Sequence, residues 1–88
     1  MFTGIITDIG LIDDLTQEGD LRARIKTSYE TTEIDMGASI ASDGVCLTVI
    51  AIGPDWYDVQ ISAETVSKTN ISGWSISKKV NLERALRV

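Results

Sequence analysis

The sequence predicts one small all-β domain, either a barrel or a sandwich. Its 88 residues are the usual length of a single domain. Segments rich in β-branched and apolar residues are separated by turn signals roughly every 10–15 residues, as in small β domains. The apolar fraction of 43% is sufficient for one compact core, and the sequence shows no low-complexity tract or internal repeat.

The first strands are predicted from residue type and alternation. Residues 2–9 are rich in β-formers, and Gly4 and Gly10 are predicted at a bend and a turn. Residues 17–20 predict a further turn. Apolar and basic residues then alternate over 21–26, which is the pattern of a half-buried strand with a solvated face.

The remaining elements are predicted from the same kinds of residue, β-formers in the strands and turn residues between them. Residues 28–36 are predicted as a surface loop with a helical turn, and residues 37–41 begin another strand. Residues 44–52 are the clearest strand, and the turn at 53–55 should join them to a partner strand at 56–63. Two further elements complete the prediction, a short helix at 64–70 capped by Ser62 or Thr65 and a last strand at 79–85.

The predicted hairpin has two chemically different faces, because successive side chains of a strand point to opposite sides. One face is predicted to fill the core, and it carries Val45, Leu47, Val49, Tyr57, Val59 and Ile61. The other carries Cys46, Thr48, Gln60 and Ser62, which are small or uncharged groups where a solvated face usually carries Lys and Glu. Such groups suit a flat heteroaromatic ligand lying against the sheet.

A purely structural interpretation of the same residues stays open. Threonine forms strands well anywhere, and a lone cysteine such as Cys46 is commonly a small buried hydrophobe. Glu64 can favour a helix start electrostatically, Ser39 can be ordinary strand filler, and residues 43–44 can be a turn only.

Charge and residue usage exclude several classes of function. Thirteen acidic and eight basic residues give a net charge of -5, and the basic residues are scattered, which argues against nucleic-acid binding. The single cysteine, Cys46, permits no intrachain disulfide. The chain has no histidine, which excludes Ser-His and Cys-His pairs and His-ligated metal sites.

The N-terminal residues resemble no signal peptide, and no apolar run is long enough to span a membrane. We therefore expect a cytoplasmic protein without a membrane partner.

Four motifs follow one another at residues 1–5, 37–49, 62–65 with 69–70, and 80–85, and together they extend over essentially the whole chain. In this order they resemble riboflavin synthase, and more narrowly its N-terminal lumazine-binding domain. The resemblance implies an all-β fold, a six-stranded antiparallel Greek-key β-barrel with one short helix. It also implies that residues 1–88 form a single lumazine-binding barrel, the N-terminal half of a two-barrel architecture.

The resemblance implies a reaction as well. The family enzyme joins two molecules of 6,7-dimethyl-8-ribityllumazine, and a four-carbon unit passes from one to the other to give riboflavin and a pyrimidinedione. It uses no metal and no separate cofactor. Orienting two identical substrates face to face should supply much of the rate, and a hydroxyl, a carboxylate or bound water could assist removal of a methyl proton.

Site roles follow from the resemblance position by position. The matching ligand-binding positions are Thr3, Gly4, Ile5, Ser39, Cys46, Thr48, Ser62, Ala63, Glu64 and Thr65. Ser39, Cys46, Thr48 and Ser62 would line the pteridine pocket, Ala63 would contribute backbone contacts, and Glu64 and Thr65 would lie near the ribityl hydroxyls. Phe2, Ser39, Cys46 and Thr48 are the candidates for a part in catalysis.

In the resembling family the active site lies between an N-terminal barrel and a C-terminal barrel of another subunit of a trimer. The present sequence ends at Val88, so one barrel would hold half a site. We expect such a barrel to bind ligand with little or no turnover and to pair as a homodimer. Two alternatives stay open, a non-catalytic lumazine or flavin carrier and a structural barrel without a ligand.

Overall fold

Residues 8–29 and 31–84 are described by a computed structural model of the chain, in which six strands close into a barrel. The strands are β1 (Asp8–Glu18), β2 (Asp20–Lys26), β3 (Ser39–Ser42), β4 (Val45–Ile52), β5 (Trp56–Ile61) and β6 (Lys79–Arg84). One helix, α1 (Ala63–Lys68), and two 3-10 turns, Thr31–Glu33 and Asn70–Gly73, join them.

The barrel closes in the order β1-β2-β5-β4-β3-β6, and all six neighbouring pairs are antiparallel. The pairs β2–β5 and β3–β6 join strands that are distant in sequence, as in a Greek key. The predicted fold, a six-stranded antiparallel barrel with one short helix, is therefore confirmed.

The barrel interior is filled by the apolar residues that alternation predicted. On β2, Leu21, Ala23 and Ile25 are buried while Arg22 and Lys26 are exposed. The predicted core face of the β4–β5 hairpin also points inward. Val45 on this face is partly buried. Its five other residues are buried, namely Leu47, Val49, Tyr57, Val59 and Ile61.

The prediction of a turn at Gly10 was wrong. Gly10 lies inside β1, where it pairs with Val80 across the seam that closes the barrel. A Cβ atom there would lie 2.7 Å from Leu82 Cδ1 and 2.8 Å from a methyl carbon of Ile25. Glycine is required by the close approach of neighbouring side chains, and sequence alone does not separate this use from a turn.

Two other elements differ in detail from their prediction. The predicted surface loop contains its helical turn, but Thr31 and Ile34 are buried within it. The predicted helix at 64–70 divides into α1 and the 3-10 turn Asn70–Gly73, because Thr69 adopts an extended conformation between them. The Thr69 side chain caps the second turn by accepting a hydrogen bond from Ile71 N–H.

Two matching bulges shape the outer surface of the barrel. The pairing of β1 with β2 shifts between Ile12 and Asp14, and that of β4 with β5 shifts between Val49 and Ala51. The loops that precede β6 and β3 hold the two bulges in the same way, each through two backbone hydrogen bonds. At the β1 bulge, Ser77 N–H donates to Ile12 O at 2.7 Å and Ile12 N–H donates to Lys78 O at 2.9 Å. At the β4 bulge, Gly37 N–H donates to Val49 O at 2.9 Å and Val49 N–H donates to Ala38 O at 2.9 Å. Because bulges bend and twist strands, they re-aim side chains on both sides of the β2–β5 pair.

Among the described residues, no helix is long and apolar enough to cross a membrane.

Candidate ligand-binding site

A row of uncharged polar side chains crosses the outside of the barrel. Ser39 on β3 pairs with Thr48 on β4, and Thr48 in turn pairs with Gln60 on β5. All three are exposed. Strands in a sheet lie about 4.8 Å apart, so the row spans about 10 Å, a width comparable to that of a bicyclic heteroaromatic ring.

A second row lies two residues further along the same strands. Cys46 on β4 is exposed and pairs with Ala41 on β3. Extending the β4–β5 register by two residues in each strand brings Cys46 level with Ser62. We call Ser39, Cys46, Thr48, Gln60 and Ser62 the polar wall. The structure thus brings the sequence-predicted residues Ser39, Cys46, Thr48 and Ser62 onto one outer surface.

The tight turn between β3 and β4 fixes one end of the wall. Asp43 and Gly44 have positive φ angles of 49° and 87°, as a two-residue hairpin turn requires. Asp43 is also tied to β6, since its N–H donates to Asn81 O at 2.8 Å and its Oδ1 accepts from Asn81 N–H at 2.7 Å. Residues 43–44 therefore have a structural role in the turn.

Helix α1 borders the wall, and the side chains at its start form hydrogen bonds with its N-cap or with other residues of the helix. Ser62 caps the helix, its Oγ accepting from Thr65 N–H at 3.2 Å and donating to Thr65 Oγ1 at 2.9 Å. Glu64 accepts from Lys68 Nζ at 2.6 Å, and both side chains are exposed. Ala63, the first helical residue, is also exposed. A ligand at this end would therefore meet side chains that already have partners in α1.

The remaining sequence-predicted site residues, Phe2, Thr3, Gly4 and Ile5, lie outside the described residues. Their assigned roles stay predictions, as do those of the residues on the wall and α1.

Beside the wall lies an ion cluster that sequence reasoning missed. Asp58 points outward on β5 but is only 1% exposed, because Arg22 and Arg24 of the neighbouring strand cover it. Its carboxylate accepts four N–H groups. Arg22 donates from Nε at 3.0 Å and Nη2 at 2.7 Å, and Arg24 donates from Nε at 2.9 Å and Nη2 at 3.2 Å. The alternating arginines are therefore a paired surface rather than a freely solvated one.

Arg24 also stacks on an aromatic ring. Its Cζ lies 3.7 Å from the centroid of the Trp56 ring, which is a cation–π contact. Gly53 lies against the same ring in the β4–β5 turn, and its N–H donates to Trp56 O at 2.9 Å. The cluster thus continues from Asp58 to the turn that joins the two hairpin strands.

A depression of about 480 Å³ adjoins the polar wall. Its lining residues are Asp14, Thr16, Asp20, Arg22, Arg24, Ile50, Asp58 and Gln60. Ile50 is the extra residue of the β4 bulge, so the bulge supplies one edge of the depression. Gln60 belongs to both surfaces and marks their boundary.

Hydrogen bonds hold the pKa values of two carboxylates below the ordinary value. Burial by itself raises the pKa of Asp58, but the bonds from Arg24 and Arg22 outweigh it and hold the pKa below the ordinary value of 3.8. Burial likewise raises the pKa of Asp8, and bonds from Ser28 and Thr27 lower it further than burial raises it. Both carboxylates are therefore ionised at neutral pH.

These shifts predict an acid-sensitive barrel. A carboxylate with a depressed pKa in the folded state contributes stability above its unfolded pKa, and this stability is lost as pH falls through the folded value. We expect the free energy of unfolding to decrease below about pH 4 as Asp58 and Asp8 are protonated. Urea denaturation between pH 2 and 7 measures this, and a constant free energy of unfolding across that range would contradict it.

In the described parts of the chain, no group of three or more His, Cys, Asp or Glu side chains is placed to hold a metal ion.

Comparison with known proteins identifies relatives over the whole chain. A family model described as the lumazine binding domain matches residues 3–85. The chain is 46% identical over 95 residues to a riboflavin synthase of Brucella abortus (strain 2308), covering 100% of this chain and 46% of the relative. The riboflavin synthase of Bacillus subtilis (strain 168) is 39% identical over 87 residues, covering 98% and 40%. That of Saccharomyces cerevisiae is 37% identical over 95 residues, again covering 98% and 40%. The chain therefore spans less than half the length of these relatives.

Proposed function

Because the chain belongs to the lumazine-binding domain family, as its motifs indicated, we propose that its polar wall binds a pteridine or flavin. The observation that carries this proposal is the row of Ser39, Thr48 and Gln60, which presents hydroxyl and amide groups in place of charges. Hydroxyls and amides both donate and accept, so they can match the alternating carbonyl and N–H groups of a pyrimidinedione ring. The ligand would be 6,7-dimethyl-8-ribityllumazine or riboflavin.

We further propose that this barrel is one half of a riboflavin synthase site. Dismutation needs two lumazine molecules held face to face, and a single wall supports one of them. The isolated barrel should therefore bind ligand with weak turnover or none, without a metal or a separate cofactor. Two barrels that pair about a two-fold axis would bring two walls together, which favours a homodimer. Cytoplasmic location stays a prediction.

Binding is tested by titrating riboflavin with the protein. Flavin fluorescence should be quenched on binding, and Trp56 and Trp74 provide a second signal. Turnover of dimethylribityllumazine by the 88-residue chain, compared with a two-barrel chain, separates a synthase half from a carrier module. Sedimentation of the barrel with and without ligand tests the homodimer. No fluorescence change at high micromolar protein would reject ligand binding and leave a structural barrel.

The contribution of the Thr48 hydroxyl is tested by Thr48→Val, which keeps the shape of the side chain. We expect the binding free energy of riboflavin to weaken by about 0.5–1.5 kcal/mol, the usual net value of one hydrogen bond. Thr48→Ser keeps the hydroxyl and should bind like the parent. Equal affinity of all three proteins would show that Thr48 serves only as a strand former.

A further inference from the structure

Two turns of the same shape precede β3 and β6. Each follows a 3-10 turn and is bonded to a bulge of the neighbouring strand. Each is closed by a backbone hydrogen bond from its fourth residue to its first, Ala38 N–H to Asp35 O at 3.0 Å and Lys78 N–H to Ser75 O at 3.1 Å. The third residue has a positive φ angle in both, 82° at Gly37 and 72° at Ser77. The two turns are therefore equivalent position by position.

The second residue of each turn is large, apolar and exposed. Met36 is 62% exposed in the turn before β3, and Ile76 is 54% exposed in the turn before β6. A single exposed apolar side chain is ordinary on a protein surface. In this barrel the equivalent tips of two turns each carry one. Each turn therefore presents an apolar contact point to another molecule.

The first of these turns carries negative charge. We call residues 33–38 the acidic turn, because Glu33 and Asp35 are its charged residues and both are exposed. Arg84 offsets part of this charge, since its Nη1 lies 3.9 Å from Glu33 Oε2. The carboxylate of Asp35 stands next to the exposed Met36 in the sequence, so the apolar tip has an acidic border.

The second turn carries positive charge. We call residues 73–79 the basic turn, because Lys78 and Lys79 are its charged residues and both are exposed. Among the described residues, neither ammonium group has an ion-pair partner. Lys79 pairs with Leu11 of β1, whose neighbour on β2 is Lys26. Lys26 is partly offset by Asp13, with Nζ and Oδ1 4.0 Å apart. An acidic chain thus places three of its four lysines in this region.

The two turns lie at opposite ends of one strand pair. β3 and β6 are antiparallel neighbours, so the acidic turn enters β3 at one end of the pair and the basic turn enters β6 at the other. Ile40, near the start of β3, pairs with Arg84, which is five residues beyond Lys79 on β6. At about 3.3 Å per residue, the two strand starts are about 16 Å apart or more. The turns of one barrel therefore cannot meet each other, but those of two copies can.

We propose that the barrel associates head to tail with a second copy of this chain, the acidic turn of one barrel docking on the basic turn of the other. In this contact Met36 packs on Ile76, and Asp35 faces Lys78 and Lys79. A contact between unlike surfaces differs from the pairing of two polar walls, which joins like surfaces about a two-fold axis. It does not require ligand binding, and its small area makes it weak and transient.

Charge reversal on each turn tests the contact, with self-association measured by sedimentation equilibrium up to about 1 mM protein. Association of the parent should weaken as salt is raised, because the attraction is between exposed charges. Asp35→Lys alone and Lys79→Glu alone should each associate about three- to tenfold more weakly than the parent. In an equimolar mixture, the two unlike barrels should recover the parent affinity for each other, because each variant keeps the turn that the other has lost.

Two further variants separate charge from apolar contact. Lys68→Glu is the matched control, because it changes the net charge as much as Lys79→Glu does but lies on α1, outside both turns. It should associate like the parent. Ile76→Ser leaves the charge unchanged and removes the apolar tip, and it should weaken association about two- to fivefold.

The outcomes distinguish this contact from other kinds of association. Recovery in the mixture supports head-to-tail docking, since the pairing of like surfaces does not predict it. If the parent does not associate, or if the mixture associates no more strongly than its components, the proposal is wrong. If Lys68→Glu weakens association as much as Lys79→Glu, net charge alone is responsible and the proposal is again wrong. Should Asp35→Lys fail to fold, unchanged association of Lys79→Glu and Ile76→Ser would still overturn it.

Discussion

Replacing Asp58 with asparagine is expected to lower the free energy of unfolding by about 1–3 kcal/mol. The carboxylate is only 1% exposed and accepts four N–H groups, so its neutral isostere leaves Arg22 and Arg24 without their shared anion. The two arginines are 52% and 36% exposed and can turn to water, which keeps the loss below that of a fully buried ion pair.

Urea denaturation at pH 7 measures this loss, with Asp55→Asn as the matched control. Asp55 is an exposed carboxylate in the β4–β5 turn, and its described hydrogen bond uses the backbone oxygen only. The control should lie within about 0.5 kcal/mol of the parent, as surface substitutions usually do. A loss for Asp58→Asn no larger than that for Asp55→Asn would mean that the arginines cover Asp58 without stabilising the barrel.

Replacing Gly53 with alanine is expected to cost about 1–3 kcal/mol of stability through overpacking. An added Cβ would overlap Cε2 of the Trp56 indole, far inside contact distance, so the ring has to move. Because Arg24 stacks on that ring at 3.7 Å, its movement also breaks the cation–π contact. The Trp56 fluorescence should shift together with the loss of stability.

Gly73→Ala is the control for this substitution. A Cβ at Gly73 meets no atom within 4 Å, and Gly73 has no positive φ angle. Alanine there should leave stability unchanged or raise it slightly, because it restricts the unfolded chain. If Gly53→Ala and Gly73→Ala behave alike, Trp56 has space to rearrange and the turn is less tightly packed than its distances indicate.

Strands β2, β4 and β5 were predictable because their side chains alternate. Residues 21–26, 45–49 and 59–61 separate into inward apolar and outward polar sets, and the barrel needs that separation. Gly10 was misassigned because the same residue type serves a turn or a close approach of neighbours. Only the positions of Leu82 and Ile25, distant in sequence, distinguish the two cases.

The candidate site was predictable in part, for a similar reason. Alternation placed Cys46 and Thr48 on one outward face without any knowledge of the partner strands. The cluster around Asp58 was not predictable, because it depends on the register between β2 and β5, two strands more than 30 residues apart in sequence. Local patterns carry no information on such long-range pairing.

The closed barrel has a consequence for self-recognition. An open sheet offers unpaired N–H and C=O groups at its edge strands, and another chain can extend the sheet there or nucleate a fibril. The six described strands form a ring in which each has two hydrogen-bonded neighbours, so none of them is an edge. Among the described strands, a second barrel would therefore be recognised through side chains on the outer faces rather than by extension of an open sheet edge. The amino acids displayed on those faces then determine which partner is accepted and which is refused.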